Sequence, residues 1–179
     1  MDDIAEAIAW IVAQHVPVIN VSLVGPKNAL LEIVVRTASA KGHLIVAAVG
    51  NDGPAARPLY PAAYPDVVGV TAVDMHRHVL LEACRGPHVD FAAPGADMSA
   101  AISGSAYAPV RGTSFAAPLV ASLLAGQMRE PSKDAAEHAV ASLAGSAVDL
   151  GDKGVDVIYG NGLVGETLRT DPALASAGK

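Results

Sequence analysis

A chain of 179 residues, 51% hydrophobic and 17% charged, is long enough to bury a core of its own and too apolar for a disordered segment. Its formal net charge of -6, its 4% aromatic content and the lack of any Lys/Arg cluster argue against nucleic acid as a partner. Cys84 is the sole cysteine, which rules out a disulfide within the chain and any multi-cysteine metal centre.

Met1-Asp2-Asp3 is acidic where a secretory leader is basic, and the apolar run 115–126 is too short to span a bilayer. No membrane partner is expected, and the compartment stays open. Asp3 with Glu6 resembles a capping box, after which Ile4, Ala7, Ile8, Ile11 and Val12 share one helical face. Past Pro17, VINVSLVG (18–25) reads as a buried strand, NALLEIVVRTASAKG (28–42) as an amphipathic helix, and HLIVAAVGN (43–51) as a second buried strand. This order predicts a parallel βαβ unit.

A Pro/Gly-bearing loop over 51–65 leads to a third strand, DVVGVTAV (66–73), and to shorter strands in HVDFAA (88–93) and DMSAAI (97–102). Helices are predicted over Ser114–Gln127 and Pro131–Ala144, then a small strand at Val155–Tyr159 and a final helical turn. Alternating helices and buried strands predict an α/β fold with a mostly parallel sheet. Residues 1–179 show no internal repeat and no composition shift, so a single domain is expected.

Reactive groups of parallel sheets collect beyond the carboxyl ends of the strands. Asn51 ends one strand and Ser114 opens a helix, whose free N–H groups and partial positive charge suit a developing oxyanion. Gly112 permits close backbone approach, Thr113 leads into the turn, and Asn51 is a neutral amide donor able to hold an oxyanion without competing as a nucleophile. Helix capping by Thr113 or Ser114, and a turn at Asn51, are the simpler structural roles of the same residues.

The segment GTSFAAP (112–118) matches G-T-S-x-A-x-P and resembles the nucleophile motif of the subtilases, the subtilisin-like serine peptidases. AAVGNDGP (47–54), VINVSLVG, YPAAYPDVVGVTAVD (60–74), GPHVDFAAPG (86–95) and YGNGLV (159–164) resemble further family segments in the same order. The resemblance implies a three-layer α/β fold with helices on both faces of the sheet, represented by the C-terminal half of the catalytic domain and lacking its N-terminal part. It implies Ser114 as acyl-forming nucleophile and Asn51 with the Ser114 N–H as oxyanion donors. It also implies Ser22, Leu23 and Val24 with Ala47, Ala48 and Val49 along the substrate, and Leu59 at the floor of the first specificity pocket. Val24 and Val49 stand where the family usually has glycine and alanine, so specificity is not inherited.

The family order is Asp, His, Ser, which places the acid and the base upstream of the point where this sequence begins. None of His15, His43, His76, His78, His88 and His138 stands in an H-G-T context, and each has a simpler structural role as a helix-end, turn or strand-flanking residue or, for His138, a position on a late helix. Asp52 adjoins Asn51 with no imidazole to orient. An unassisted serine hydroxyl is a weak nucleophile, so this chain alone is expected to be almost inert. No cofactor is expected. The resemblance suggests at most a weak cation site on the carbonyls of Ala62, Tyr64 and Val67 with help from Asp90. Two functions stand side by side: a serine endopeptidase acting on peptide or protein substrates together with its N-terminal half, or a non-catalytic pseudoenzyme that binds extended peptide along the Ser22 strand.

Overall fold

The computed structural model describes residues 2–103, 106–170 and 173. The chain opens with helix α1 (Asp2–Ala13), strand β1 (Val18–Val21), helix α2 (Ala29–Ala40), strand β2 (Leu44–Ala48) and strand β3 (Val67–Val73). Strand β4 (Phe91–Pro94) and a hairpin of β5 (Met98–Ile102) and β6 (Ala106–Val110) follow. Helices α3 (Thr113–Ala125) and α4 (Lys133–Ser146) and a 3-10 turn at Glu166–Leu168 close the described chain.

Strands β1 to β4 form a parallel sheet in the order β1-β2-β3-β4, in register from Val18 opposite Leu44 to Val73 opposite Pro94. Strand periodicity divides the core in two. Leu44, Val46 and Ala48 of β2 point to a cluster with Ala116, Val120 and Leu124 of α3 and Leu143 of α4. Ile45, Ala47 and Val49 point the other way, to Ala5 and Ile8 of α1 and Leu31 and Val35 of α2. Helices therefore cover both faces of the sheet, as the resemblance implies.

Helix α2 starts where Asn28 Oδ1 accepts from Leu31 N at 2.9 Å, and α4 where Ser132 Oγ accepts from Ala135 N at 3.4 Å, both ordinary N-caps. Helix α3 packs on all four parallel strands. Its contact face carries Ala116, Ala117 and Ala121, whose small side chains let the backbone lie close to the sheet.

Several expectations need correction. Helix α1 already contains Asp3, so Asp3 lies inside the first turn and does not cap it, and the buried face includes Ala5 while Ala7 is exposed. Strand β1 stops at Val21, leaving Ser22–Val24 outside the sheet. Strand β6 went unforeseen: Pro109 argues against a strand, yet an antiparallel hairpin tolerates it opposite Ser99. Val155–Tyr159 forms a turn, because the Asp156 carboxylate accepts from the backbone N–H groups of Asp152, Ile158 and Tyr159 and curls the segment on itself.

The two edges of the sheet differ. Residues Gly162 to Val164 run beside β4, with Ala92 N donating to Gly162 O and Val164 N to Ala92 O, both at 2.9 Å. The outer edge of β1 has no strand beside it among the described residues.

Phe91 is fully buried on β4 in the core beneath α3, whereas Trp10 is 66% exposed on the outside of α1. Phe91→Ala is expected to cost about 3–5 kcal/mol and Trp10→Ala under about 0.5 kcal/mol in urea unfolding. Equal costs would contradict this core.

Candidate functional site

The carboxyl end of β2 and the amino end of α3 meet through two hydrogen bonds. Thr113 N donates to Asn51 Oδ1 at 3.0 Å, and Gly50 N donates to the fully buried Thr113 Oγ1 at 3.3 Å. A backbone N–H can only donate, so the oxygen of the Asn51 amide must face the helix and its Nδ2 must face outward. Asn51 itself is exposed.

Gly112, the residue before α3, has φ of 135°, a conformation open to glycine. A Cβ there would lie 3.3 Å from Asn51 Nδ2, and Gly112 N donates to Gly95 O at 2.8 Å. Thus the chain crosses tightly under the Asn51 amide before turning into the helix.

Ser114 sits in the first turn of α3, partly exposed. Its N–H has no intrahelical acceptor, and none of the described residues takes it up. Its hydroxyl donates to Ser22 O at 3.4 Å, and the Ser22 hydroxyl donates back to Ser114 O at 2.9 Å. Sequence-predicted Ser114, Asn51 and Ser22 are thereby brought to one end of the sheet.

The other predicted residues divide. Leu23 and Val24 are exposed, at 58% and 40%, on the segment past β1. Leu59 is partly buried and lies over Gly50, where an added Cβ would come within 2.6 Å of its Cδ1. Ala47, Ala48 and Val49 are at most 1% exposed and belong to the two cores, so in this structure they offer a ligand no accessible surface. Val49 fills core space on the α1/α2 side, which explains its extra bulk without reference to a substrate.

Residues 80–84 brace this end from outside, a link the sequence does not announce because its partners are 29 positions apart. Arg111 makes a bidentate pair with Glu82, at 2.6 and 3.0 Å, and its guanidinium holds the Glu82 carboxyl below the usual carboxylate range. Gly53 N donates to Glu82 O at 2.8 Å and Cys84 N to Gly50 O at 3.0 Å, tying the Asn51 loop to the same segment. Burial pushes the Cys84 thiol up, away from nucleophilic character.

No histidine hydrogen-bonds Ser114 among the described residues. His43 is buried at the amino end of β2, its Nδ1 bonded to Val16 O at 2.7 Å, and five strand residues put it roughly 15 Å from the other end. His88 precedes β4 and packs beside Gly86. His76 and His78 stand exposed on the turn after β3, His15 just beyond α1 and His138 on the outer face of α4. Asp90 is committed to Gly69 N at 2.7 Å, and burial pushes its carboxyl up. The described residues hold no cluster of three or more His, Cys, Asp or Glu. Two cavities, of about 780 and 610 Å³, lie at the amino ends of the strands, away from Ser114. None of the described helices is long and apolar enough to cross a membrane.

Residues 1–162 match the model of the subtilase family. The chain belongs to that family. This subtilase is 31% identical over 179 residues to the minor extracellular protease Epr of Bacillus subtilis (strain 168), a match covering 99% of the chain and 28% of that protein. It is 40% identical over 126 residues to the thermophilic serine proteinase of Bacillus sp. (strain AK1), covering 70% of the chain and 31% of that protein. It is 33% identical over 165 residues to subtilisin BL of Lederbergia lenta, covering 92% and 60%. The subtilase thus spans less than two thirds of the length of each of these relatives. A solved psychrophilic protease superimposes with a TM-score of 0.78 at 29% identity, over 90% of this chain and 62% of that one. A lanthipeptide protease shares the fold with a TM-score of 0.76 at 23% identity, over 90% of this chain and 64% of that one.

Thr113→Val keeps the shape of the side chain and strands the Gly50 N–H in a buried place. Loss of about 1–3 kcal/mol is expected by chemical denaturation, and an unchanged midpoint would show that this bond does not hold the site. Burial keeps the His88 imidazole below its ordinary value of 6.5, so the unfolded chain takes up a proton first on acidification. The contribution of neutral His88 to stability is present above that value and lost as pH falls through the lower folded one. His88→Gln is expected to flatten the decline in urea midpoint between about pH 7.5 and about pH 5, and an unchanged slope would clear His88 of it.

Proposed function

We propose that this chain supplies the nucleophile and oxyanion donors of a subtilisin-type serine endopeptidase, with an N-terminal half of the catalytic domain supplying the acid and the base. The observation that carries the reading is the Thr113 N–H···Oδ1 Asn51 bond. It turns the Asn51 Nδ2 donor and the free Ser114 N–H toward the same end of the sheet without spending either on another group. Preorganised donors of this kind stabilise a tetrahedral oxyanion far better than mobile ones.

In this reading Ser114 Oγ attacks the peptide carbonyl while its proton passes to the imidazole of the partner half. The oxyanion is held by Asn51 Nδ2 and Ser114 N–H. Collapse breaks the C–N bond, the amine leaves with the proton from the imidazole, and water then hydrolyses the Ser114 ester. The segment Ser22–Val24, exposed at Leu23 and Val24, offers main-chain groups to an extended peptide or protein substrate. The open edge of β1 offers the N-terminal half a place to add a strand.

A second reading, a peptide-binding module without catalysis, is favoured by one observation: the Ser114 hydroxyl rests on the Ser22 carbonyl and meets no base. Co-expression with an upstream half bearing the Asp and His separates the two. Peptide hydrolysis is expected from the complex, near-zero hydrolysis from this chain alone, and none from Ser114→Ala. Loss of the base histidine costs roughly 10⁶ in turnover in subtilisin itself. Asn51→Ala is expected to lower kcat by about 10² to 10³, the range known for this donor in subtilisin. Activity that survives Ser114→Ala would reject the nucleophile, and a complex that binds peptide without cleaving it would establish the binding module.

A further inference from the structure

Pro118 stands four residues after Ser114 in α3. In an unbroken helix the N–H at that position would donate to the Ser114 carbonyl, but proline has no N–H to give. Position 118 is exposed, so packing alone does not require the ring. The carbonyl is nonetheless not left to water. The Ser22 hydroxyl, arriving from beyond the end of β1, donates to it at 2.9 Å.

We propose that Ser22 is a positioning residue: its hydroxyl replaces the backbone donor that Pro118 removes and fastens the first turn of α3, and with it Ser114, to the segment after β1. The consequence for catalysis rests on Ser114 being the nucleophile; the replacement of one donor by another does not. An intrahelical bond would tie Ser114 only to its own helix. The side-chain bond ties it to a second element, and the returning Ser114 Oγ to Ser22 O contact makes the tie reciprocal. Asn51 is held to the other side of the same turn through Thr113. The nucleophile turn is therefore gripped from β1 and from β2 at once, and Ser22 acts through Ser114 without needing to touch the reacting carbonyl.

This arrangement makes Ser22 dispensable when position 118 can donate. In this chain alone, Ser22→Ala is expected to raise the unfolding constant about fivefold, the size of one net hydrogen bond, and to do so only while Pro118 is present. In the Pro118→Ala background, where an N–H again reaches the Ser114 carbonyl, the same substitution should change the constant less than twofold. In the complex with the N-terminal half, Ser22→Ala should lower kcat about three- to tenfold with KM within twofold. Ser22→Thr, which keeps the hydroxyl, and the double substitution Ser22→Ala/Pro118→Ala should recover most of that loss. An equal effect of Ser22→Ala on unfolding in both backgrounds would overturn the proposal. So would a loss confined to KM, which would make Ser22 a substrate contact only. A wild-type complex without activity would reject the peptidase reading, and the unfolding cycle would then decide the donor replacement by itself.

Discussion

The bonds joining Gly50 and Asn51 to Thr113 set the position of α3 on the sheet, and α3 touches every parallel strand. The buried face of α3 carries Ala116, Ala117 and Ala121 together with Val120 and Leu124, which pack it against the sheet. Thr113 adds directional bonds to that packing. It is fully buried, so its hydroxyl meets the Gly50 N–H in a place where water cannot substitute for a missing partner. Any shift of the helix by one residue would strand a buried N–H and a buried hydroxyl together. The directional bonds are therefore concentrated at the end where Ser114 emerges.

The local rules of helix building are broken at this same place, and each exception is answered by a tertiary contact. Gly112 offers no capping side chain, and Asn51 from another strand takes the first N–H instead. Pro118 offers no N–H, and Ser22 supplies a hydroxyl. Arg111, just ahead of the turn, spends its charge on Glu82, so no net charge from this pair is left beside Ser114. The first turn of α3 is thus stabilised almost wholly from outside itself. It has little reason to form apart from the folded sheet.

Much of this was legible in the sequence where local chemistry decides structure. Continuous apolar runs located the parallel strands, helical patterning located the long helices, and the GTSFAAP segment placed Ser114 at a helix start. Legibility failed where a side chain overrode the pattern. The β-branched run around Val155 looks like a strand, but three backbone N–H groups bonded to one carboxylate of Asp156 make it a turn. Strand β6 was hidden by Pro109, which a central strand would exclude and a hairpin edge accepts. Burial was harder still. Ala47, Ala48 and Val49 share a segment with exposed Asn51, and nothing local separates residues inside the sheet from the residue just past its end. The Glu82–Arg111 link and the Ser22–Ser114 exchange join residues 29 and 92 positions apart, beyond the reach of any window.

The unequal edges of the parallel sheet bear on how this molecule can assemble. Residues Gly162 to Val164 lie along β4 and close that side. A sheet with two open sides can accept neighbours on both and grow without limit, as fibres do. With only the β1 side free among the described residues, the first strand to arrive there uses the last open ladder. Edge-to-edge pairing of this sheet, among the described residues, has therefore only the β1 side to use.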